Sequence, residues 1–164
     1  MKRFLFLLIF ISASSLAGCS GDEITIDLSK AVADTNAPPA NLPAEVTRAK
    51  NENKLLLLEF GSSDSCPPCI ILQQKVFSTP EFLAYEKSNL IFVRLDYPLK
   101  SNLRPDTKAT NIFLLRQFDV VPFPTFIALD HNGKEFWRQE GTTVQQFEPK
   151  EFIALIESVR AKEK

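Results

Sequence analysis

Four short apolar runs mark the strands that this chain is expected to form. The continuous runs KLLLLEF (54–60) and NLIFVRLD (89–96) are typical of strands buried on both faces of a sheet. The runs TFIAL (125–129) and KEFWRQ (134–139) flank the tight-turn sequence DHNG, and this arrangement predicts an antiparallel hairpin.

Between these strands the apolar residues recur at helical spacing. The first predicted helix covers 43–53, and the second follows Cys69. A third begins after Ser78, its expected N-cap. A fourth follows a polar loop over 97–111 and ends at Phe118. The last helix carries an apolar stripe of Phe152, Ile153, Ile156 and Val159. Because strands separated by helices tend to be parallel neighbours, we expect an α/β fold with a mixed central sheet and helices on both faces.

The first nineteen residues have the layout of an export signal. A basic start is followed by an apolar run that is too short to span a bilayer, and then by small residues. Leu16 to Cys19 (LAGC) resembles the lipobox of bacterial lipoproteins, which implies that Cys19 receives lipid and becomes the new N-terminus. An ordinary signal peptide with a chance cysteine, or a short membrane anchor, is the alternative.

Three segments follow from this interpretation. Residues 1–18 form the signal peptide, residues 19–42 form a lipidated, flexible tether, and residues 43–164 form one domain. The alternation of Ile24, Ile26 and Leu28 inside the tether is also compatible with a short edge strand.

The charge balance and the compartment narrow the range of partners. Loss of Lys2 and Arg3 with the signal peptide leaves 17 basic residues against 20 acidic ones, so the mature chain is mildly acidic. No basic stripe points to nucleic acid, and membrane attachment is expected through the lipid. In the cell envelope disulfides persist, and with Cys19 lipidated only Cys66 and Cys69 are left to form one.

The sequence CPPC places two cysteines where a helix begins after a buried strand. Unpaired N–H groups and the helix dipole favour a thiolate at Cys66, so its pKa is expected to fall. Cys69 lies one turn later, deeper in the fold and close enough to bond to Cys66. Pro67 and Pro68 suit the first turn, but they remove two N–H donors, so the fall in pKa is expected to be moderate.

Three uses of this pair can be compared: a structural staple, half of a zinc site, or a redox couple. Zinc needs four ligands, and the chain offers one histidine, His131, which lies in the predicted DHNG turn. A staple across two residues closes a very small loop and stabilises little. An accessible thiol at a helix start with a partner one turn away is what thiol–disulfide exchange requires, so the pattern favours redox chemistry, with no metal and no cofactor.

The motifs FGSSDSCPPC, VFSTPEF, LDYP and VVPFPTFIALDHNGKE resemble those of thioredoxin-fold proteins, in particular the envelope branch that exchanges disulfides. The resemblance covers residues 43–160. It implies a cis peptide bond before Pro124, which would face the two cysteines. It also implies that Phe123, Pro124 and the two CPPC prolines line a groove for an extended substrate.

The chain departs from that pattern near the cysteines. Ser65 stands where an aromatic residue is usual, and Ile70 stands where lysine is common. The buried acid that assists the second cysteine in this family corresponds in position to Glu59, although the loop here is one residue longer. Pairing with Arg94 on the neighbouring strand is the alternative role for Glu59, and Trp137 is expected in the core.

The resemblance implies a thiol:disulfide oxidoreductase that faces the periplasm from its lipid anchor. Its expected partners are protein disulfides and an upstream thiol electron donor. Cys66 would attack and Cys69 would resolve, and the missing basic residue favours the reductase direction. The alternative is a non-enzymatic copper chaperone, for which soft cysteine ligands would need a histidine, and His131 is the one candidate.

Overall fold

The structure is a computed structural model that describes residues 41–100, 103–141 and 148–163. Within these ranges the sheet has four strands: β1 Leu55–Gly61, β2 Leu90–Asp96, β3 Thr125–Leu129 and β4 Glu135–Glu140. The helices are α1 Leu42–Glu52, α2 Pro67–Leu72, α3 Pro80–Asn89, α4 Pro105–Gln117 and α5 Pro149–Arg160, and a π-helical turn, Gln73–Phe77, continues α2 directly. None of the helices in these ranges combines the length and apolar composition that crossing a membrane requires.

The strands lie in the order β2-β1-β3-β4. Strand β1 pairs in parallel with β2 and antiparallel with β3, and β3 pairs antiparallel with β4. Every residue of β1 is buried, as its continuous apolar run predicts for a central strand. The mixed sheet expected from the sequence is therefore confirmed.

Side chains that alternate along the strands feed two apolar cores, one on each face of the sheet. The first core joins α1 and α4 to the sheet and contains Leu42, Val46, Leu56, Leu58, Phe60, Ile91, Leu114, Phe118 and Ile127. The second core joins α2, the π-helical turn, α3 and α5 to the opposite face and contains Leu55, Leu57, Leu72, Val76, Phe77, Phe82, Phe126, Phe152 and Ile156. Helices cover both faces, as predicted.

Each of the five described helices has a proline in its first two positions, where the missing N–H breaks no helical bond. One predicted cap is wrong. Thr79, not Ser78, caps α3, because Thr79 is extended and its Oγ1 accepts the Phe82 N–H at 3.3 Å. Ser78 instead ends the π-helical turn, and its Oγ accepts a hydrogen bond from the Gln73 side chain.

The polar segment predicted as a loop over 97–111 is also partly helical, because α4 already begins at Pro105. The sheet topology then decides where chemistry can take place. Strands β1 and β2 end, and β3 begins, at the same edge of the sheet, as the pairing of Phe60 with Thr125 shows. The loops that follow β1 and β2 and the loop that precedes β3 therefore meet at this edge.

Candidate redox site

Cys66 and Cys69 form a disulfide at the start of α2. The S–S distance is 2.05 Å and the two Cα atoms are 5.3 Å apart. Cys66 is the N-cap residue in an extended conformation, and its Sγ accepts the Cys69 N–H at 3.3 Å. Pro67 and Pro68 occupy the first helical turn between the two sulfurs. This arrangement is a two-residue disulfide loop whose first sulfur already receives a backbone hydrogen bond.

Burial separates the two cysteines less than the sequence suggested. In the disulfide form Cys66 is 7% exposed and Cys69 is 4% exposed, so both count as buried. What distinguishes them is their place along the helix. Cys66 stands at the cap, where its sulfur accepts the Cys69 N–H while Pro67 and Pro68 offer no N–H groups, and Cys69 stands one turn inside.

Glu59 is a buried acidic residue on β1, the strand that leads to the two cysteines. It is 2% exposed, and its Oε2 accepts a hydrogen bond from Arg94 Nε at 2.6 Å. The pairing follows from the register, because Glu59 and Arg94 are partners on the parallel strands β1 and β2. Burial raises the pKa of the Glu59 carboxyl above its ordinary value, and the charge and hydrogen bond of Arg94 oppose that rise.

Arg94 is itself held from two further sides. Its guanidinium donates to the Gln73 side-chain oxygen and lies 5.2 Å from the centre of the Phe77 ring. The side chain remains 43% exposed. The cation is therefore fixed over Glu59 from the solvent side, and the ion pair that the sequence left as the alternative role for Glu59 is present.

Gly61 brings the carboxyl of Glu59 and the sulfur of Cys69 into one space. A Cβ built on Gly61 would lie 3.2 Å from Cys69 Sγ and 3.4 Å from Glu59 Oε1. A cavity of about 430 Å³ opens beside these groups, and its lining also includes Gln73, Arg94 and Asp96. The second cysteine thus lies beside a polar cavity that has the buried carboxyl in its wall.

The peptide bond between Phe123 and Pro124 is cis, as the resemblance implied. Pro124 is buried, its carbonyl accepts the Gly141 N–H at 2.9 Å, and it directly precedes β3 at the edge where β1 ends. The ring of Phe123 stacks on Tyr97 with ring centres 5.2 Å apart. The loop before β3 is thereby joined to the loop after β2.

Two carboxylates tie the loop before the cysteines to the loop after β2. Asp96 accepts the Ser63 N–H at 2.8 Å and the Ser63 hydroxyl at 2.7 Å. Asp64 accepts the N–H groups of Leu99 and Lys100 at 2.9 and 2.8 Å. Sequence reasoning missed both contacts, and the only available signal was the presence of short acidic and hydroxyl side chains at two strand ends.

His131 is not brought to the cysteines. It lies in the turn between β3 and β4, and the pairing of Leu56 with Leu129 puts this turn at the edge where β1 begins. The cysteines follow the other end of β1, about 20 Å away along the strand. His131 instead faces Glu163 at 3.4 Å. Across the described ranges, no three or more His, Cys, Asp and Glu side chains are grouped to hold a metal ion.

Two other expectations can be placed as well. Trp137 on β4 is partly buried and packs against the second core, as expected for a core residue. The signal peptide, Cys19 and the tether up to residue 40 lie outside the described residues, so they remain predictions from the sequence. Leu42, predicted as the end of the tether, instead begins α1 and is buried in the first core.

The chain is similar to two proteins of Chlamydia pneumoniae. It is 28% identical over 113 residues to disulfide bond reductase DsbH, which covers 69% of this chain and 64% of the relative. It is 27% identical over 95 residues to thioredoxin-related protein DsbJ, covering 56% of this chain and 26% of the relative. The matches therefore span less than two thirds of these relatives.

A solved structure of a DsbH oxidoreductase has the same fold. It superposes with a TM-score of 0.64 at 24% identity and covers 73% of this chain and 81% of the other. The family model described as a thioredoxin-like domain matches residues 42–160, which hold the CPPC pair, the buried acid and the cis-proline loop. The chain belongs to the thioredoxin-like domain family.

Proposed function

We propose that this protein is a thiol:disulfide oxidoreductase of the cell envelope that reduces disulfides in protein substrates. The observation that carries the proposal is the Cys66–Cys69 disulfide at the start of α2, at the sheet edge that also holds the cis bond before Pro124. The name of the relative DsbH, disulfide bond reductase, supports the reductase direction.

The reaction begins with the reduced pair. The Cys66 thiolate attacks one sulfur of the substrate disulfide, and the other substrate sulfur leaves as a thiolate and takes up a proton. The Cys69 thiolate then attacks Cys66 Sγ in the mixed disulfide and expels the second substrate sulfur. Two electrons pass to the substrate, and the protein ends with the Cys66–Cys69 disulfide, which an upstream thiol donor reduces again by the same exchange.

Glu59 is proposed as the group that accepts the proton of the Cys69 thiol during this second step. Its support is the Gly61 contact, where one built Cβ would touch both Cys69 Sγ and Glu59 Oε1. Burial raises the pKa of Glu59, which brings a carboxyl closer to the working pH of a proton acceptor. The positive charge of Arg94 stabilises the ionised form of Glu59 and so limits the rise in its pKa.

The substrate is proposed to bind along the loop before β3 and the first turn of α2. Phe123 and Pro124 provide one wall, and Pro67 and Pro68 provide the other, because both loops lie at the edge where β1 ends. An extended polypeptide placed there has its disulfide next to Cys66, which is the first sulfur at the helix start.

The site of action is proposed to be the periplasmic face of a membrane, with Cys19 as the lipid attachment point and residues 19–42 as the tether to the domain at 43–164. The support is the LAGC sequence, which follows the apolar run and in which Gly18 is the last residue of the predicted signal peptide 1–18. The test is radiolabelled fatty acid incorporation. Label is expected in the wild type and absent in Cys19→Ala, whose processing should also fail. If Cys19→Ala is processed and fractionates as the wild type does, the lipid anchor is contradicted.

Copper delivery is not favoured, because the histidine that it would need lies at the wrong edge of the sheet. His131 is in the β3–β4 turn beside Glu163, and the two cysteines are bonded to each other at the opposite end of β1.

Trapping of substrates tests the proposed reaction. Cys69→Ser should accumulate envelope proteins as mixed disulfides on Cys66, visible as gel bands that a reductant removes, and Cys66→Ser should accumulate few or none. The wild type should also reduce a model protein disulfide. The reduction potential of the Cys66–Cys69 pair is expected at about −270 mV, whereas a value of about −180 mV or above would indicate an oxidant or an isomerase. If neither variant traps a partner and the wild type reduces no disulfide, the proposed function is wrong.

A further inference from the structure

Leu99 is an apolar side chain held in solvent beside the redox site. It is 82% exposed, in the loop that follows β2. Its backbone is nevertheless fixed, because the N–H groups of Leu99 and Lys100 both donate to the carboxylate of Asp64. Backbone donors bound to an ionised carboxylate make hydrogen bonds about twice as strong as neutral ones. The exposure of Leu99 is thus a defined position of the loop.

That position is close to the reactive sulfur. Asp64 is two residues before Cys66, and two residues of chain span at most about 7 Å. Because Asp64 binds the Leu99 N–H directly, the leucine is attached to the same short loop as the cysteine. Ser65, between Asp64 and Cys66, is small, whereas an aromatic residue is usual at this position in the family.

The loop of Leu99 also continues the proposed substrate groove. Tyr97, two residues before Leu99, stacks on Phe123, and Phe123 precedes the buried Pro124. Leu99, the start of α2 and the loop before β3 therefore lie at one edge of the sheet. The exposed side chain of Leu99 is therefore available to an extended chain that binds at this edge.

We propose that Leu99 is a specificity-determining residue that binds an apolar side chain next to the cysteine of the substrate, and that Asp64 is the positioning residue that presents it. The proposal rests on the proposed function, since it names the substrate class of that site: disulfides in extended polypeptide with apolar flanking residues, as in chains that have not buried their cores. Removal of apolar surface from water supplies the binding free energy.

Two peptide disulfides of equal length test this proposal. They carry leucine or serine at the positions that flank the cysteines and are otherwise identical. The wild type is expected to reduce the leucine peptide with a kcat/KM about tenfold higher, mainly through KM, because the leucine contact is made before and during the reaction alike. Leu99→Ser should remove this preference and leave the serine peptide unchanged.

The matched control is Leu83→Ser, which removes an exposed leucine (50% exposed) from α3 and should keep the full preference. Asp64→Ala loses both backbone hydrogen bonds and should lose most of the preference, and Asp64→Asn, whose amide oxygen still accepts, should retain part of it. The ratio between the two peptides is the readout, because a change in the reactivity of Cys66 affects both peptides alike and leaves the ratio constant.

The outcomes separate the two proposals. If the wild type reduces neither peptide, the proposed function fails. If it reduces both equally, or if Leu99→Ser keeps the preference, the role of Leu99 is refuted while the proposed function stands. A dimer in the wild type that Leu99→Ser dissociates, with no change in the peptide ratio, would assign the leucine to a second copy of the chain and would also overturn the proposal.

Discussion

Replacement of Gly61 by alanine would test the contact between the second cysteine and the buried acid. Gly61 ends β1, and the added Cβ would lie 3.2 Å from Cys69 Sγ, 3.4 Å from Glu59 Oε1 and 3.5 Å from Cys69 Cβ. The first distance is a few tenths of an ångström shorter than an ordinary van der Waals contact. The methyl group must therefore displace the sulfur, the carboxyl or both.

Two opposing effects set the change in stability. Overpacking of a close-packed interior costs about 1–3 kcal/mol, whereas alanine lowers the conformational entropy of the unfolded chain and stabilises by about 0.4–1 kcal/mol. The backbone of Gly61 is outside the left-handed region, so alanine adds no backbone strain. We expect Gly61→Ala to lower the free energy of unfolding by about 1–2 kcal/mol.

The effect on chemistry should be confined to one step of the reaction. A misplacement of about 1 Å can cost about a hundredfold in rate, so a shift of a few tenths of an ångström is expected to cost about three- to tenfold. This loss should fall on the step in which Cys69 attacks the mixed disulfide. Attack by Cys66 should be unchanged, because the three atoms nearest to the added Cβ belong to Cys69 and Glu59.

Stopped-flow reaction of the reduced protein with a chromogenic aromatic disulfide separates the two steps. The phase that depends on reagent concentration reports attack by Cys66, and the phase that does not reports resolution by Cys69. The control is Gly133→Ala, which has φ 78° in the β3–β4 turn and should cost about 1–2 kcal/mol through strain without changing either phase. Unaltered urea unfolding together with an unaltered resolution phase in Gly61→Ala would refute the close approach of these groups.

Four further predictions concern the surroundings of the site. Arg94→Met should raise the pKa of Glu59 further, so the resolution step should reach its full rate only at higher pH, whereas Arg94→Lys should keep most of the wild-type profile; coincident profiles of all three proteins would contradict the relay. Since a raised carboxyl pKa favours folding while the group is protonated, stability should fall as pH rises through the Glu59 pKa, and more steeply in Arg94→Met, as urea midpoints across pH would report. Phe77→Ala removes a ring in contact with four other rings and should lower the free energy of unfolding by about 3–5 kcal/mol; a loss below about 1 kcal/mol would mean that the ring cluster is not close-packed. Tyr97→Phe loses the hydrogen bond to the Asn111 carbonyl and should cost about 1 kcal/mol in thermal unfolding with kcat unchanged, an expectation that a change in kcat alone would contradict.

Much of the fold could be predicted from the period of the apolar residues, because that period is a local property of the chain. The continuous run of β1 requires burial on both faces, and the structure buries all seven residues. Pairing of Glu59 with Arg94 could also be anticipated, since both lie on strands expected to be parallel neighbours. The cis bond before Pro124 came from the family resemblance and not from the spacing of residues.

The errors and omissions share a physical cause. Ser78 and Thr79 are both good cap residues, and which of them caps α3 depends on the π-helical turn before them, for which the sequence gives no signal. The carboxylate contacts of Asp64 and Asp96 join residues more than thirty positions apart. These contacts depend on how two loops meet at the sheet edge, and no local sequence pattern predicts that arrangement.

The central place of β1 has a consequence for when the redox chemistry becomes available to the cell. Leu57 pairs with Phe92 on one side and with Ala128 on the other, so the sheet needs contacts between distant parts of the chain, and such contacts form slowly. Cys66 meets the loop before β3 only when both pairings exist. An unfolded chain therefore carries two ordinary neighbouring thiols, and the redox activity proposed for the protein would begin only once its own folding is complete.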